Sequence, residues 1–313
     1  MNKENIAIAG LNNEELKLFK KKYKKINIIN LKDKISEKKK IYNLEAIIVY
    51  KEWPIRRFLN KFINKDFINF KKLRWLHLSR AGIDGLLPNL SKYKFKITCG
   101  KGVNNVNSSE HALAMLLFLT RNLNNHHKIH TEINGKKVLI VGLGGIGSTL
   151  ARKLYFLGAD VSGVVNYDKK KYNFLNKCYY KSELPNIVSK YDIIINIIPL
   201  TNQTYKTFNN KIFNKMKNGV YFVSISRDDT IDMDHLKKYF YRKKFSGLGI
   251  DFTKFENKKK FDSMNKKENI IFTNHSAGKS DNFKKRLDLI IKNLDNFLKK
   301  KKLKNTVSIQ KQY

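Results

Sequence analysis

The stretch KKVLIVGLGGIGSTLARKLYFLGADVSGVV, residues Lys136–Val165, constrains this chain more than any other. An apolar strand, Val138–Val141, runs into Gly142-x-Gly144-x-x-Gly147. A helix follows, with Leu150, Leu154 and Leu157 at helical spacing, and then a second strand. Each glycine has its own task in a dinucleotide site. Gly142 makes the tight turn, Gly144 lets backbone approach a pyrophosphate, and Gly147 lets helix and strand pack closely. The N–H groups opening the helix at Ser148 are expected to face the phosphates, aided by the helix dipole.

With 313 residues the chain has room for two domains of ordinary size. It contains no run of about 18 apolar residues, the length of a membrane span. The opening MNKENIAIAG reads as a short strand rather than a signal peptide. Cys99 and Cys178 match no disulfide or metal framework, so a reducing, cytoplasmic setting is expected. The formal charge of +38 raises the question of nucleic acid. Lysines outnumber arginines about six to one and are spread along the whole chain. Base reading and two-pronged phosphate contacts favour Arg, so the lysines read as solvated surface. Their summed field still favours anionic ligands.

Before residue 105 the sequence alternates strands (Asn5–Ala9, Ile26–Leu31, Ala46–Tyr50, Arg74–Leu78, Phe95–Thr98) with helices (Asn13–Lys24, Trp53–Asn64). This predicts a small parallel α/β domain. A buried helix is expected over Ser108–Asn122, with Asn107 as N-cap and Glu110 at capping-box spacing. Further strands at Val138–Val141, Val161–Val165, Ile193–Ile198, Val220–Ile225, Gly247–Asp251 and Ile270–Thr273 predict a doubly wound sheet. A terminal helix over Asp281–Lys301 is expected to return to the first domain.

Ligands of open α/β sheets bind at strand carboxyl ends. Arg227 follows one such strand in VSISRDDTID. Asp251 ends the next in GLGIDFTKFE, with Glu256 shortly after, and His275 follows the last in IIFTNHSAG. An imidazole can exchange a proton with an oxygen that becomes hydroxyl or carbonyl. A carboxylate can orient it and stabilise its charged form, and a guanidinium can grip a substrate carboxylate. A nicotinamide alongside would supply hydride.

Nearly the whole chain resembles the NAD(P)-dependent D-isomer-specific 2-hydroxyacid dehydrogenases. The resemblance runs through RWLHLSRAGIDGL (Arg74–Leu86), GVNNVNSSEHALAMLL (Gly102–Leu117) and VLIVGLGGIG. It continues in DIIINIIPLTNQTYKTFN (Asp192–Asn209), VSISRDDTID, GIDFTKFE and TNHSAG. It implies a Rossmann cofactor domain, 106–278, inserted in a smaller flavodoxin-like α/β substrate domain, 1–105 plus 279–313. It implies catalytic roles for Arg227, Glu256 and His275, and substrate binding at Arg80, Ala81 and Gly82. Cofactor contacts fall to Gly142, Gly144, Gly145, Ile146, Gly147, Asn166, Pro199, Thr201, Ser226 and Asp251. The implied activity is hydride transfer between NAD(P)H and a small 2-oxo acid such as glyoxylate or hydroxypyruvate. A phosphoglycerate dehydrogenase and an NAD(H)-sensing corepressor-like protein are the alternatives within the resemblance. A homodimer is implied, although the connector RNLNNHHKIHTEING, which carries the family's dimer arm, is shortened here.

The departures from the family pattern are specific. Asp228 stands where the family has Gly, as a competitor for the Arg227 guanidinium or a solvent-facing carboxylate. Asn257 and Asn274 replace prolines, which is expected to relax two turns. Arg80 replaces a small residue and is a candidate for a second anionic group. His126, His127 and His130 lack a carboxylate or Cys at fitting spacing, so no metal is expected. An NAD enzyme needs an acid at the end of the second strand of the unit. Here that position is Val165, followed by Asn166. Asp168 comes late and Lys169, Lys170 and Lys171 follow, so NADP is favoured over NAD.

Overall fold

The computed structural model describes residues 3–31, 43–51, 71–82, 94–124, 130–169, 172–261, 269–280 and 283–308. The helix expected over Trp53–Asn64 lies outside them, as do His126, His127, Lys170 and Lys171. Two compact units result, one formed by residues 1–103 with 281–313, the other by 104–280.

The first unit holds strands β1 (Asn5–Ala9), β2 (Asn27–Leu31), β3 (Ala46–Val49), β4 (Trp75–Leu78) and β5 (Lys96–Cys99). They form one parallel sheet in the order β2-β1-β3-β4-β5, the flavodoxin-like order. All residues of β3 and β4 are buried, as a parallel sheet covered on both faces requires. Helix α1 (Asn13–Lys22) starts at a reciprocal capping box. The Asn12 side chain accepts from Glu15 N at 2.7 Å, and Glu15 accepts from Asn12 N at 2.8 Å. The terminal helix, Lys284–Leu298, packs Ile290, Leu294 and Phe297 among Ile6, Ile8, Ile48 and Trp75. The N-terminal sheet therefore needs the chain's last helix to close its core.

His77 on β4 is 1% exposed. Its Nδ1 lies 2.8 Å from the Thr98 hydroxyl, which also accepts from Trp75 Nε1 at 2.8 Å. Burial pushes the imidazole down to about 4. As pH falls below 6.5 the unfolded chain takes up a proton that the folded chain refuses until about pH 4. Stability is then lost across that window, by up to about 3 kcal/mol. Melting temperature followed from pH 7 to pH 4 is expected to fall less steeply for His77→Leu than for the parent. Parallel curves would refute this assignment.

The second unit opens with helix α2 (Asn105–Thr120). It continues through β6 (Lys137–Val141), α3 (Gly145–Phe156), β7 (Asp160–Val165), β8 (Lys177–Tyr180), α4 (Leu184–Ile187), β9 (Ile193–Asn196) and α5 (Asn210–Lys215). It ends with β10 (Val220–Ser224), α6 (Met233–Tyr241), β11 (Phe245–Phe252), α7 (Phe255–Phe261) and β12 (Ile270–Asn274); the terminal helix of the first unit is α8. Seven parallel strands lie in the order β12-β11-β10-β9-β6-β7-β8. From the β8 edge this is the doubly wound 3-2-1-4-5-6 order extended by one strand, with the switch point between β6 and β9. Helix α2 buries Ala112, Met115, Leu116 and Leu119 against Val138, Ile140, Ile193 and Val223. Its start differs from the expectation. Asn107 is not the N-cap but lies inside the first turn, because its amide donates to the carbonyls of Ala277 (3.1 Å) and Lys279 (3.3 Å).

Candidate active site

The glycine turn sits at the carboxyl end of β6, beside the switch point. Gly142 has φ +112°, and a Cβ there would lie 2.8 Å from the Ile197 carbonyl. A Cβ on Gly147 would collide with the Gly142 carbonyl oxygen, whereas around Gly144 there is open space. The helix opens at Gly145, earlier than expected, so the Ser148 amide is not free. It donates to Gly144 O at 2.9 Å. The amides of Gly145, Ile146 and Gly147 are the first-turn donors, with no side-chain cap and no acidic residue in that turn. Unshielded donors, a positive helix end and room at Gly144 fit a pyrophosphate.

A buried polar network ties the ends of β9 and β10 together. Asn196 donates to the hydroxyls of Ser224 (3.1 Å) and Thr230 (3.0 Å). Ser226 Oγ donates to Ile198 O at 2.5 Å. With its hydroxyl turned inward and the residue 6% exposed, Ser226 has only backbone to offer a ligand. Thr204 Oγ1 lies 2.6 Å from the Pro199 carbonyl and accepts from Thr201 N at 2.7 Å. That hydroxyl knots the loop carrying Pro199 and Thr201.

Arg227 follows β10 half-buried and leads into a short 3-10 turn, Asp228–Thr230. Its carbonyl accepts from the Thr230 hydroxyl at 2.7 Å, anchoring it to the buried network. His275 follows β12 in the left-handed region, φ +46°, a conformation that costs a residue with a side chain about 1–2 kcal/mol. Its amide donates to Phe252 O at 2.8 Å. Asp251, 2% exposed, holds the rest of that turn. One carboxylate oxygen accepts from Thr273 Oγ1 (2.7 Å) and Ser276 N (2.8 Å), the other from Ala277 N (2.9 Å). The resemblance offers Asp251 to the cofactor; in the structure the three groups that donate to its carboxylate, from Thr273, Ser276 and Ala277, bracket His275. Arg227 Nη1 then lies 3.4 Å from His275 Nε2.

Glu256 sits exposed in the first turn of α7. The structure records no hydrogen bond or ion pair from its side chain to a described residue, so the third member is near in sequence pattern but not joined to the pair. Asp228 does neither of the things expected of it. It is 2% exposed, and its carboxylate accepts from Thr253 N and Oγ1, Lys254 N and Asn257 Nδ2. Two departures from the family pattern, Asp228 and Asn257, thus contact each other at 2.9 Å. Asn257 tightens this segment, contrary to the relaxed turn expected for it.

At the far end of the site β7 stops at Val165. Asn166 Nδ2 (2.7 Å) and the Tyr167 hydroxyl (3.0 Å) both donate to Gln203 Oε1. Lys181 donates to the Gln203 carbonyl, and burial lowers its affinity for a proton. Lys169 lies 4.1 Å over the Tyr180 ring and 3.3 Å from Glu183. Asp168 is exposed. Gln203 and Lys181 went unnoticed in the sequence because Gln203 follows no glycine turn or strand end and Lys181 follows β8, a short strand without an apolar run.

Arg80, Ala81 and Gly82 follow β4 in the first unit, half-buried, and Gly100 N donates to Arg80 O at 3.0 Å. Among the described residues no group of three or more His, Cys, Asp or Glu is arranged to hold a metal, and no helix is long and apolar enough to cross a membrane.

Residues 109–277 match the family described as D-isomer specific 2-hydroxyacid dehydrogenase, NAD binding domain, and the chain belongs to that family. It is similar to D-lactate dehydrogenase of Escherichia coli, 27% identical over 54% of this chain and 58% of that one. It is similar to glyoxylate reductase of Thermofilum pendens, 25% identical over 70% of each chain. In fold it matches a D-isomer specific 2-hydroxyacid dehydrogenase from Xanthobacter autotrophicus solved with NADPH and MES. That match has a TM-score of 0.80 and 16% identity, and covers all of both chains.

Proposed function

We propose that this chain reduces small 2-oxo acids to D-2-hydroxy acids, with glyoxylate and hydroxypyruvate as candidate substrates and NADPH as the favoured cofactor. The contact between Arg227 Nη1 and His275 Nε2 at the carboxyl edge of the sheet carries the reading. A guanidinium and an imidazole brought within 3.4 Å of each other suit an oxygen, taken up beside them, on which negative charge develops. When bound, the nicotinamide supplies the hydride. His275 gives its proton to the carbonyl oxygen, Arg227 holds the carboxylate and polarises the ketone, and Glu256 favours the protonated imidazole. The donors at Gly145–Gly147 hold the pyrophosphate.

NADPH is favoured because β7 ends without an acid. A neutral cluster, Asn166, Tyr167 and Gln203, follows it, with Lys169 and Lys181 close by. With a panel of 2-oxo acids, kcat/KM for NADPH is expected to exceed that for NADH by about tenfold, or about 1.4 kcal/mol. A preference for NADH overturns the cofactor reading. No turnover with either cofactor on any 2-oxo acid overturns the enzyme reading.

A further inference from the structure

Asp228 is a carboxylate residue 2% exposed, directly after Arg227, and among the described residues every hydrogen bond its carboxylate accepts comes from the segment that carries Glu256. Oδ1 accepts from Thr253 N at 2.7 Å and Thr253 Oγ1 at 2.8 Å. Oδ2 accepts from Lys254 N at 3.1 Å and Asn257 Nδ2 at 2.9 Å. The Asp228 amide points to Thr253 Oγ1 at 3.4 Å, and Lys254 pairs with Asp229 at 2.7 Å. The donors lie on both sides of Glu256 in the chain. Glu256 itself is exposed, so its backbone sets where its carboxylate can reach.

We propose that Asp228 is a positioning residue that keeps Glu256 in register with Arg227 by gripping the Thr253–Asn257 segment, a role that rests on Arg227, Glu256 and His275 being the catalytic set. A buried carboxylate met by two donors on each oxygen has no neutral substitute. In Asp228→Asn the new NH2 faces a backbone N–H whichever way the amide turns, Thr253 N on one side or Lys254 N on the other, so at least one backbone bond is lost and its partner side chain, the Thr253 hydroxyl or the Asn257 amide, must turn round to accept. Asn257→Ala removes one bond from the far side and leaves the backbone donors in place.

The test is kinetic and structural together, on the full chain. Asp228→Asn is expected to lower kcat for 2-oxo acid reduction about tenfold while the KM for NADPH changes less than about twofold, with Asn257→Ala intermediate. A loosened Glu256 stabilises protonated His275 less, so the alkaline limb of the kcat profile is expected to move to lower pH. On a Glu256→Gln background, Asp228→Asn is expected to cost less than about a further twofold, since a residue acting through Glu256 has nothing left to position. Amide exchange over residues 253–257 is expected to speed up in Asp228→Asn. Unchanged exchange overturns the grip whether or not the enzyme turns over. Faster exchange with a full tenfold loss on the Glu256→Gln background reduces Asp228 to a structural staple and overturns the positioning role. An active parent in which Glu256→Gln has no effect, or a parent without turnover, overturns the catalytic set itself, and is told apart from failure of the grip by the exchange data.

Discussion

A His275→Ala enzyme is expected to reduce 2-oxo acids about 10²- to 10⁴-fold more slowly than the parent, the usual contribution of a positioned acid or base. The NADPH affinity is expected to stay close to the parent's, because the pyrophosphate donors open α3 after β6, four strands away from β12 and the His275 turn along the same edge of the sheet. The backbone complicates Ala as a probe. His275 holds φ +46°, and Ala tolerates that region less well than Asn. His275→Asn is therefore the cleaner variant. It suits the left-handed turn and keeps the amide that donates to Phe252 O, but at neutral pH its side chain has no proton to give. Both variants are expected to be equally slow, with Asn melting at the higher temperature. If His275→Asn retained more than about a tenth of parental kcat, the proton would come from elsewhere and the role of His275 would be lost.

The strain at His275 and the burial of Asp251 are two sides of one arrangement. Asp251 takes three hydrogen bonds from Thr273, Ser276 and Ala277, and these, with the Phe252 carbonyl, hold a residue in a conformation it would otherwise leave. Asp228 repeats the device one loop away, on the segment of Glu256. In each case a carboxylate near one strand end grips the loop that bears a side chain of the proposed catalytic set.

This is also where the sequence stopped being readable. The glycine turn, the strand-helix alternation, and Arg227 and His275 after their strands could be read because each depends on residues close together in the chain. The strand Lys177–Tyr180 was missed. Its residues KCYY form a partly exposed edge with no apolar run, and it exists only because Ser162–Val165 offer it a ladder. The start of α2 was misjudged because Asn105, Val106 and Asn107 look like a loop. The Asn107 side chain is used against partners far away in sequence, the Ala277 and Lys279 carbonyls, and the Asn105 side chain packs close against Gly145. Asp228 looked like an intruder beside an arginine. Local sequence could not reveal that donors 25 to 29 positions later converge on it. The closing helix of the first unit, expected over Asp281–Lys301, is by contrast formed by Lys284–Leu298.

The two glycines of the turn are expected to fail in opposite ways when given a methyl group. Gly147→Ala places a Cβ against the Gly142 carbonyl oxygen, and both partners are backbone, one at the end of β6 and one in the first turns of α3. Neither can rotate away. Either the helix lifts off the sheet, exposing the buried Leu150, Ala151 and Leu154, or the turn opens and its donors lose their shared aim. Misfit of this kind costs about 1–3 kcal/mol, so the melting temperature is expected to fall by several degrees and NADPH binding with it. Gly144→Ala meets nothing within 4 Å in the protein and has an ordinary negative φ of −74°. Its stability is expected to be unchanged, or slightly raised by the narrower unfolded ensemble. Yet the methyl occupies the space a pyrophosphate needs, and NADPH affinity is expected to drop by about tenfold or more. Thermal melting without cofactor, set beside a fluorescence titration with NADPH, separates the two. A Gly144→Ala protein that binds NADPH like the parent would show that the open space at that glycine belongs to no ligand, and a Gly147→Ala protein of parental stability would show that the β6–α3 contact is not as close as its backbone atoms imply.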